Sequence, residues 1–379
     1  MSDTLLVLNA GSSSVKFQLF DATTLDLLAK GEVCRIGSGP EFTAVTLATD
    51  ETYVRTLQPE ATQEVAISSI VRFIAGHRQD WRVKAVVHRI VHGGETYVQP
   101  VLITDHVRAD LEKLCPLAPL HQPHNLAAIG IVEALLAAET FQPIPQIACF
   151  DTAFHSGHAR LFSDFALDTS LRDRGVRRFG FHGLAYEWIA RVLAADNPEL
   201  SDKRVVVAHL GSGASLCAMI GGKSVDTTMS MTPLDGLVMG TRSGALDPGA
   251  IIYMLRELGM SLDELEQTLY DRSGLLGLSG ISNDVETLLH SADPQAAFAL
   301  EYFAVKVAQY AASMAVSMGG VAAIVFTGGI GENAQSVRDA IMARLVFLNV
   351  ATTVVIPANE ERLMAIEAKR LLDAPVEAS

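Results

Sequence analysis

The chain has 379 residues, 49% of them hydrophobic and only 19% charged, which is enough apolar material for two cores and divides it into two domains by the size rule. A formal charge of −14 argues against a general footprint for nucleic acid or an anionic membrane; if the chain binds phosphates, it must hold them with local Lys, Arg, Mg2+ and backbone N–H groups. Cys34, Cys115, Cys149 and Cys217 lie far apart without a C-x-x-C pair, which argues against a disulfide or zinc framework; with no signal-type N-terminal segment, a cytoplasmic location is expected.

In chain order, Leu5–Leu8 reads as an apolar strand. A Gly-Ser turn leads to a second strand, Val15–Phe20, in which Lys16 and Gln18 alternate with apolar residues. Leu27–Ile36 reads as a third, completing a β-meander. A helix is predicted at Gln63–Ala75 and a strand at Ala85–Val87, followed by the corner His92-Gly93-Gly94. Next come a helix at Asn125–Ala138 and a buried strand, Ile147–Phe150, ending in Asp151. The pattern then restarts. Val205–Ala208 is followed by His209-Leu210-Gly211-Ser212-Gly213-Ala214-Ser215-Leu216, so Gly211 and Ser212 repeat Gly11 and Ser12 of Asn9-Ala10-Gly11-Ser12-Ser13-Ser14-Val15-Lys16. A second meander turns at Gly221-Gly222. Helices are predicted at Pro248–Leu258, Leu262–Tyr270 and Ala296–Met318, and the strand Ala322–Thr327 ends in Gly328-Gly329-Ile330-Gly331. Val307–Gly331 carries no charge, but Gly319-Gly320 splits it into a helix and a β-branched run, so it reads as a buried helix and strand and not as a membrane span. A last helix, about Glu360–Leu372, is expected to pack back on the first domain.

An internal match near half the chain length points to duplication. The expected fold is α/β: two duplicated actin-like (ribonuclease H-like) domains of the sugar-kinase, actin and chaperone ATPase type around a central cleft. Residues 1–150 with 360–379 form the first domain and 151–359 the second.

The turn Asn9–Lys16 has what a polyphosphate needs. Gly11 allows close approach, three serines supply hydroxyls and successive N–H donors, and Lys16 adds a charge. Asn9 at the strand end can reach a hydrated Mg2+. The same residues also describe a tight hairpin with a surface lysine, and spacing alone leaves both readings open. Neither a Walker A loop nor the Rossmann glycine pattern is present. Thr327–Asn333 follows a buried strand and precedes a helix at Gln335–Arg344, a place for a nucleotide or for close strand–helix packing. Arg89, Asp151, His182 and Arg242 each stand beside glycine corners or strand ends. Singly such residues are more often structural; together they fit phosphoryl transfer, which works by positioning and charge neutralisation.

As strings, LNAGSSSVK, HRIVHGGE, LAPLHQPHN, CFDTAFH, RFGFHG, TPLDGLVMGTRSGALDPG, FTGGIGEN and VIPANEE resemble blocks of the acetate kinase family, in family order from about residue 5 to about 365. The resemblance implies a homodimer that reversibly converts ATP and acetate into ADP and acetyl phosphate, with Mg2+ (or Mn2+ in its place). By matching motif, Asn9 and Glu360 would hold the metal. Ser12, Ser14 and Lys16 would face the phosphates. Arg89 would bind the carboxylate, Asp151 would be the catalytic carboxylate, and His182 and Arg242 would stabilise the transition state. His209, Leu210, Gly211, Ser212 and Gly213, with Asp284, Val285 and Glu286 and with Gly329, Ile330, Gly331, Glu332 and Asn333, would line the nucleotide site. Val91, Leu120, Phe181 and Pro233 would form the pocket for the substrate methyl. The chain departs from the family pattern at Ser212 (usually Asn), at Asp284-Val285-Glu286 (usually ending in Arg) and at Leu184-Ala185-Tyr186 (often Thr-Ser-His). A smaller residue at position 91 would favour propionate or butyrate; valine favours acetate. A non-catalytic nucleotide-binding regulator would be marked by a lost catalytic charge, and none is lost.

Overall fold

The computed structural model describes residues 1–379 except Ser12, Arg78, Phe141, Gln142 and 375–379, with the backbone alone at 137–140. The chain divides into two units, Met1–Ala153 with Asn359–Ser379, and Phe154–Ala358.

The first unit holds an eight-stranded sheet. Its strands are β1 (Ser2–Ala10), β2 (Val15–Asp21), β3 (Leu27–Cys34), β4 (Glu41–Thr46), β5 (Glu51–Thr56), β6 (Trp81–Ile90), β7 (Val101–Leu102) and β8 (Gln146–Phe150), in the order β5-β4-β3-β2-β1-β6-β8-β7. Strands β1 to β5 are antiparallel, whereas β1, β6 and β8 run parallel. A central strand covered on both faces needs apolar residues on both, and β1 lies in the middle of the sheet between β2 and β6. Accordingly Leu5, Leu6, Val7 and Leu8 are all buried. Leu6 and Leu8 share a core with Phe17 and Leu19 of β2, with Ala66, Ile67 and Ile70 of the helix Gln63–Gly76, and with Ala128 and Val132 of the helix Gln122–Thr140. The helix Glu360–Asp373 packs against β1, β2 and β6 with Leu363, Met364, Ala365 and Ala368 buried.

Three boundaries differ from expectation for local reasons. The third strand stops at Cys34, because Arg35 turns into the left-handed region (φ 55°) ahead of Gly37 and Gly39. The meander continues through β4 and β5, whose threonines and charges hide a strand pattern; all six residues of the edge strand β5 are exposed. The segment after Thr327 is not a glycine loop leading to a helix, because it is helical from Gly328 to Asn333.

The second unit holds β9 (Arg204–Leu210), β10 (Ala214–Ile220), β11 (Lys223–Thr227), β12 (Ala323–Thr327) and β13 (Thr352–Val355), ordered β11-β10-β9-β12-β13. Again the first three are antiparallel, and β9, β12 and β13 are parallel. The helix Gly183–Asp196 covers one face through Tyr186, Ile189 and Leu193. The helix Pro294–Met318 packs on β9, β10 and β11; Asp293 caps its start and Gly319 (φ 70°) ends it. Among the described residues no helix is long and apolar enough to cross a membrane. Both sheets thus contain the same five-strand core, three antiparallel strands extended by two parallel ones beside the first. This is the duplicated ribonuclease H-like, or actin-like, α/β fold.

Candidate active site

In open α/β sheets, ligands gather at the carboxyl ends of the parallel strands. In the first unit those ends belong to β1, β6 and β8, and they bring together four of the expected residues. Arg89 on β6 forks onto Asp151, which directly follows β8: Nε donates to Oδ1 at 3.0 Å and Nη2 to Oδ2 at 2.6 Å. Nη1 donates to Asn9 Oδ1 at 3.2 Å, and Glu360 Oε2 lies 3.9 Å from Nε. The Asp151 side chain is 2% exposed and Arg89 21%, so neither charge is compensated by bulk water alone. Burial opposes the Arg89 charge, but the Asp151 and Glu360 carboxylates outweigh it and raise its pKa. Burial likewise pushes the Glu360 carboxyl up to about 7, against the pull of Arg89.

The turn between β1 and β2 is tied down through its carbonyls. Gly11 N donates to Ser14 O (2.9 Å), Ile36 N to Ser13 O (2.9 Å), Gln63 Nε2 to Gly11 O (3.3 Å) and Asn125 Nδ2 to Ala10 O (2.7 Å). Lys16 pairs with Asn9 across the turn and is exposed; Ser12 lies outside the described residues. Asn125 and Gln122 were given no role from sequence. Asn125 Oδ1 also accepts from Val91 N (3.0 Å), and Gln122 bonds both backbone groups of His92, fixing the corner after β6. The only signal for them was their place in the LHQPHN block. Val91 is buried and Leu120 is 38% exposed.

In the second unit the corresponding turn is one residue shorter, with Gly211 N donating to Gly213 O at 3.0 Å and Ser212 O accepting from Gly240 N. A Cβ on Gly213 would lie 3.3 Å from His182 Nε2 and 3.8 Å from Arg242 Nη1, so both cation-type side chains face this one glycine. Arg242 is braced by the Pro233 carbonyl (Nη1 to O, 3.2 Å). His182 caps the helix Gly183–Asp196 in the left-handed conformation (φ 57°), and its Nδ1 lies 2.9 Å from Ser215 Oγ. Phe181 is buried, and its carbonyl bonds His155 Nε2 at 3.0 Å. His209, at the end of β9, sits 4.6 Å from the His182 ring; Leu210 beside it is buried.

Gly328 (φ 79°) approaches Leu210 so closely that a Cβ would meet its carbonyl at 2.8 Å, whereas a Cβ on Gly329 would meet nothing within 4 Å. Glu332, expected to line the nucleotide site, gives its carboxylate to two backbone donors, Gly328 N and Ala358 N, each at 2.9 Å. Asn333 Nδ2 donates to Gly329 O, and Arg338 covers the carbonyls of Gly331 and Glu332. Ile330 lies within the same short helix. Asp284 caps the helix Val285–Leu289 through Thr287 N (2.9 Å); Val285 is buried and Glu286 exposed.

Two units with the same ribonuclease H-like strand order, each turned at a glycine after its first strand, give the chain an actin-like fold. A family model described as the Acetokinase family matches residues 4–366. The chain is 47% identical over 356 residues to acetate kinase of Rhodopseudomonas palustris, covering 92% of this chain and 88% of that one. It is 38% identical over 409 residues to propionate kinase of Citrobacter rodentium, covering 100% of both. The crystal structure of a propionate kinase from Francisella tularensis superposes with a TM-score of 0.88 (34% identity; 97% of this chain, 99% of that one), and that of Porphyromonas gingivalis acetate kinase with 0.84 (32%; 98% and 100%). The chain belongs to the acetokinase family and is an enzyme of carboxylate phosphorylation.

Proposed function

We propose that this chain is a cytoplasmic, homodimeric acetate kinase that transfers the γ-phosphoryl group of ATP directly and reversibly to acetate. The observation that carries this reading is the buried fork of Arg89 on Asp151. It fixes a guanidinium at the parallel strand ends with its Nε–Nη2 edge on Asp151, so a substrate carboxylate would meet the N–H donors left on Nη1 and Nη2. The attacking acetate oxygen is already ionised near neutral pH, so no general base is required. Asp151 therefore acts as an orienting group for Arg89.

The oxygen donors around Arg89 suit a hard cation. Asn9 supplies an amide oxygen, and Glu360 and Asp151 supply carboxylates. Asn9 and Glu360 would hold Mg2+ (or Mn2+), largely through its waters. When bound, the cation neutralises charge on the phosphates. Ser14 and Lys16 would bind the polyphosphate. Arg242 neutralises the equatorial oxygens of the moving phosphoryl group, His182 donates a hydrogen bond to them, and Gly213 leaves space beside both. Asp284–Glu286 and Gly329–Asn333 take the adenosine, with Gly329 leaving open backbone for the base. Val91, buried at the corner after β6, offers apolar surface to the substrate methyl group.

Incubation with ATP, Mg2+ and acetate, trapped with hydroxylamine, is expected to yield acetohydroxamate; none at saturating acetate would overturn the proposal. A propionate preference is the second reading, motivated by the likeness to propionate kinases. One methylene is worth only about 10–200-fold in kcat/KM. Comparing two-, three- and four-carbon acids decides it, and acetate is expected to lead.

A further inference from the structure

His182 is held at its Nδ1 edge by two buried hydroxyls in series. Tyr186 lies one turn further along the same helix; its OH is 2.5 Å from Ser215 Oγ, and Ser215 Oγ is 2.9 Å from His182 Nδ1. Both residues are fully buried, so each hydroxyl must find its partner within the protein. Ser215 is also fixed by β pairing opposite His209. The other edge of the imidazole, Nε2, faces Gly213, which Arg242 Nη1 also approaches.

The proton order follows from the chemistry of the three groups. A phenol is more acidic than an aliphatic alcohol, so Tyr186 O–H donates to Ser215 Oγ in preference to the reverse. Ser215 has a single proton, which is then directed to Nδ1. An imidazole that accepts at Nδ1 carries its own proton at Nε2. Among the groups near His182 are the Arg242 guanidinium at Gly213, the His209 ring 4.6 Å away on β9, and Tyr186 on its own helix, itself packed edge-on against His155.

We propose that Tyr186 and Ser215 are positioning residues that hold neutral His182 as its Nε2–H tautomer, so that it donates a hydrogen bond to the transferring phosphoryl group without first being protonated. This rests on the role given to His182 above. Tyr186 stands where the family pattern often has histidine.

The test is Tyr186→Phe, which removes one oxygen and keeps the ring. Above the histidine pKa, near pH 8.5, kcat is expected to fall about tenfold, with KM for ATP and acetate within about twofold. Near pH 6 the imidazolium supplies Nε2–H unaided, and the deficit is expected to shrink to about twofold. Nitrogen NMR of histidine-labelled protein is expected to show His182 as Nε2–H in the parent and as a mixture of tautomers in Tyr186→Phe. A parent His182 protonated at Nδ1 alone, or a variant with parental kcat at both pH values and unchanged nitrogen shifts, overturns the proposal. If the parent protein forms no acyl phosphate, the functional reading falls, and the nitrogen shifts still decide the tautomer.

Discussion

A methyl group at position 213 would stand 3.3 Å from His182 Nε2 and 3.8 Å from the Arg242 guanidinium. The backbone there is not left-handed, so alanine is tolerated by the fold, but its Cβ occupies space that the moving phosphoryl group needs. Gly213→Ala is therefore expected to lower kcat by about tenfold or more while leaving the melting temperature within about 2 °C, measured by steady-state assay and thermal melting. The opposite pattern is expected at Asp151. Removing it strands a largely buried guanidinium, a loss of about 3–5 kcal/mol. Asp151→Ala should lower the melting temperature as well as abolish activity. Asp151→Asn, which can still accept from Arg89, should recover most of the stability and little of the activity. A melting temperature unchanged in Asp151→Ala would contradict the assigned ion pair.

Short elements decide how the strand ends are presented. The helix Gly328–Asn333 starts directly at the end of β12, and Glu332 fastens it by accepting from both Gly328 N and Ala358 N. Glu332→Ala leaves two backbone donors without their partner, worth about 1–3 kcal/mol each where water cannot replace it. Glu332→Gln keeps an acceptor and is expected to be nearly neutral, so chemical denaturation of the pair separates a structural carboxylate from one that meets nucleotide. Sequence could not reveal this role, because the same residue sits in a glycine motif that reads as a nucleotide loop. The strands β1, β6, β8, β9 and β12 were legible because central strands carry apolar runs, and β2 was legible from its alternation. β4 and β5 were not: an edge strand exposed at all six positions carries no hydrophobic period. Arg89, Asp151, His182 and Arg242 were legible as charges next to glycines and strand ends. Asn125, Ser215 and Tyr186 were not, since their meaning lies in partners supplied by other elements.

Over the whole molecule, each unit keeps a histidine buried and neutral. Burial pushes His88 down to about 4, against its bond to Gln146, and His155 down to about 3. In the unfolded chain both take up a proton near pH 6.5. Between that pH and about 4 the unfolded state binds more protons, so stability falls as pH falls, by about 3 kcal/mol in full for His88. The melting temperature is expected to be steady above about pH 7 and to drop steadily below it. His88→Gln, which keeps a polar partner for Gln146 and cannot titrate, should flatten part of that slope; an equally steep slope in the variant would remove His88 from the account.

The helix Glu360–Asp373 belongs to the unit whose strands begin at Ser2, although the whole of Phe154–Ala358 separates them in the chain. During synthesis from the N-terminus, β1, β2 and β6 leave the ribosome long before the helix that covers them. Besides its apolar face, that helix delivers Glu360 to Arg89, and Arg362 Nη1 to the carbonyl of Leu25 at 3.0 Å. The unit born first is thus the unit finished last. A nascent chain stalled after about residue 358 is expected to protect the strands of the second unit from protease while β1 and β6 stay cleavable, and release of the final segment should close them.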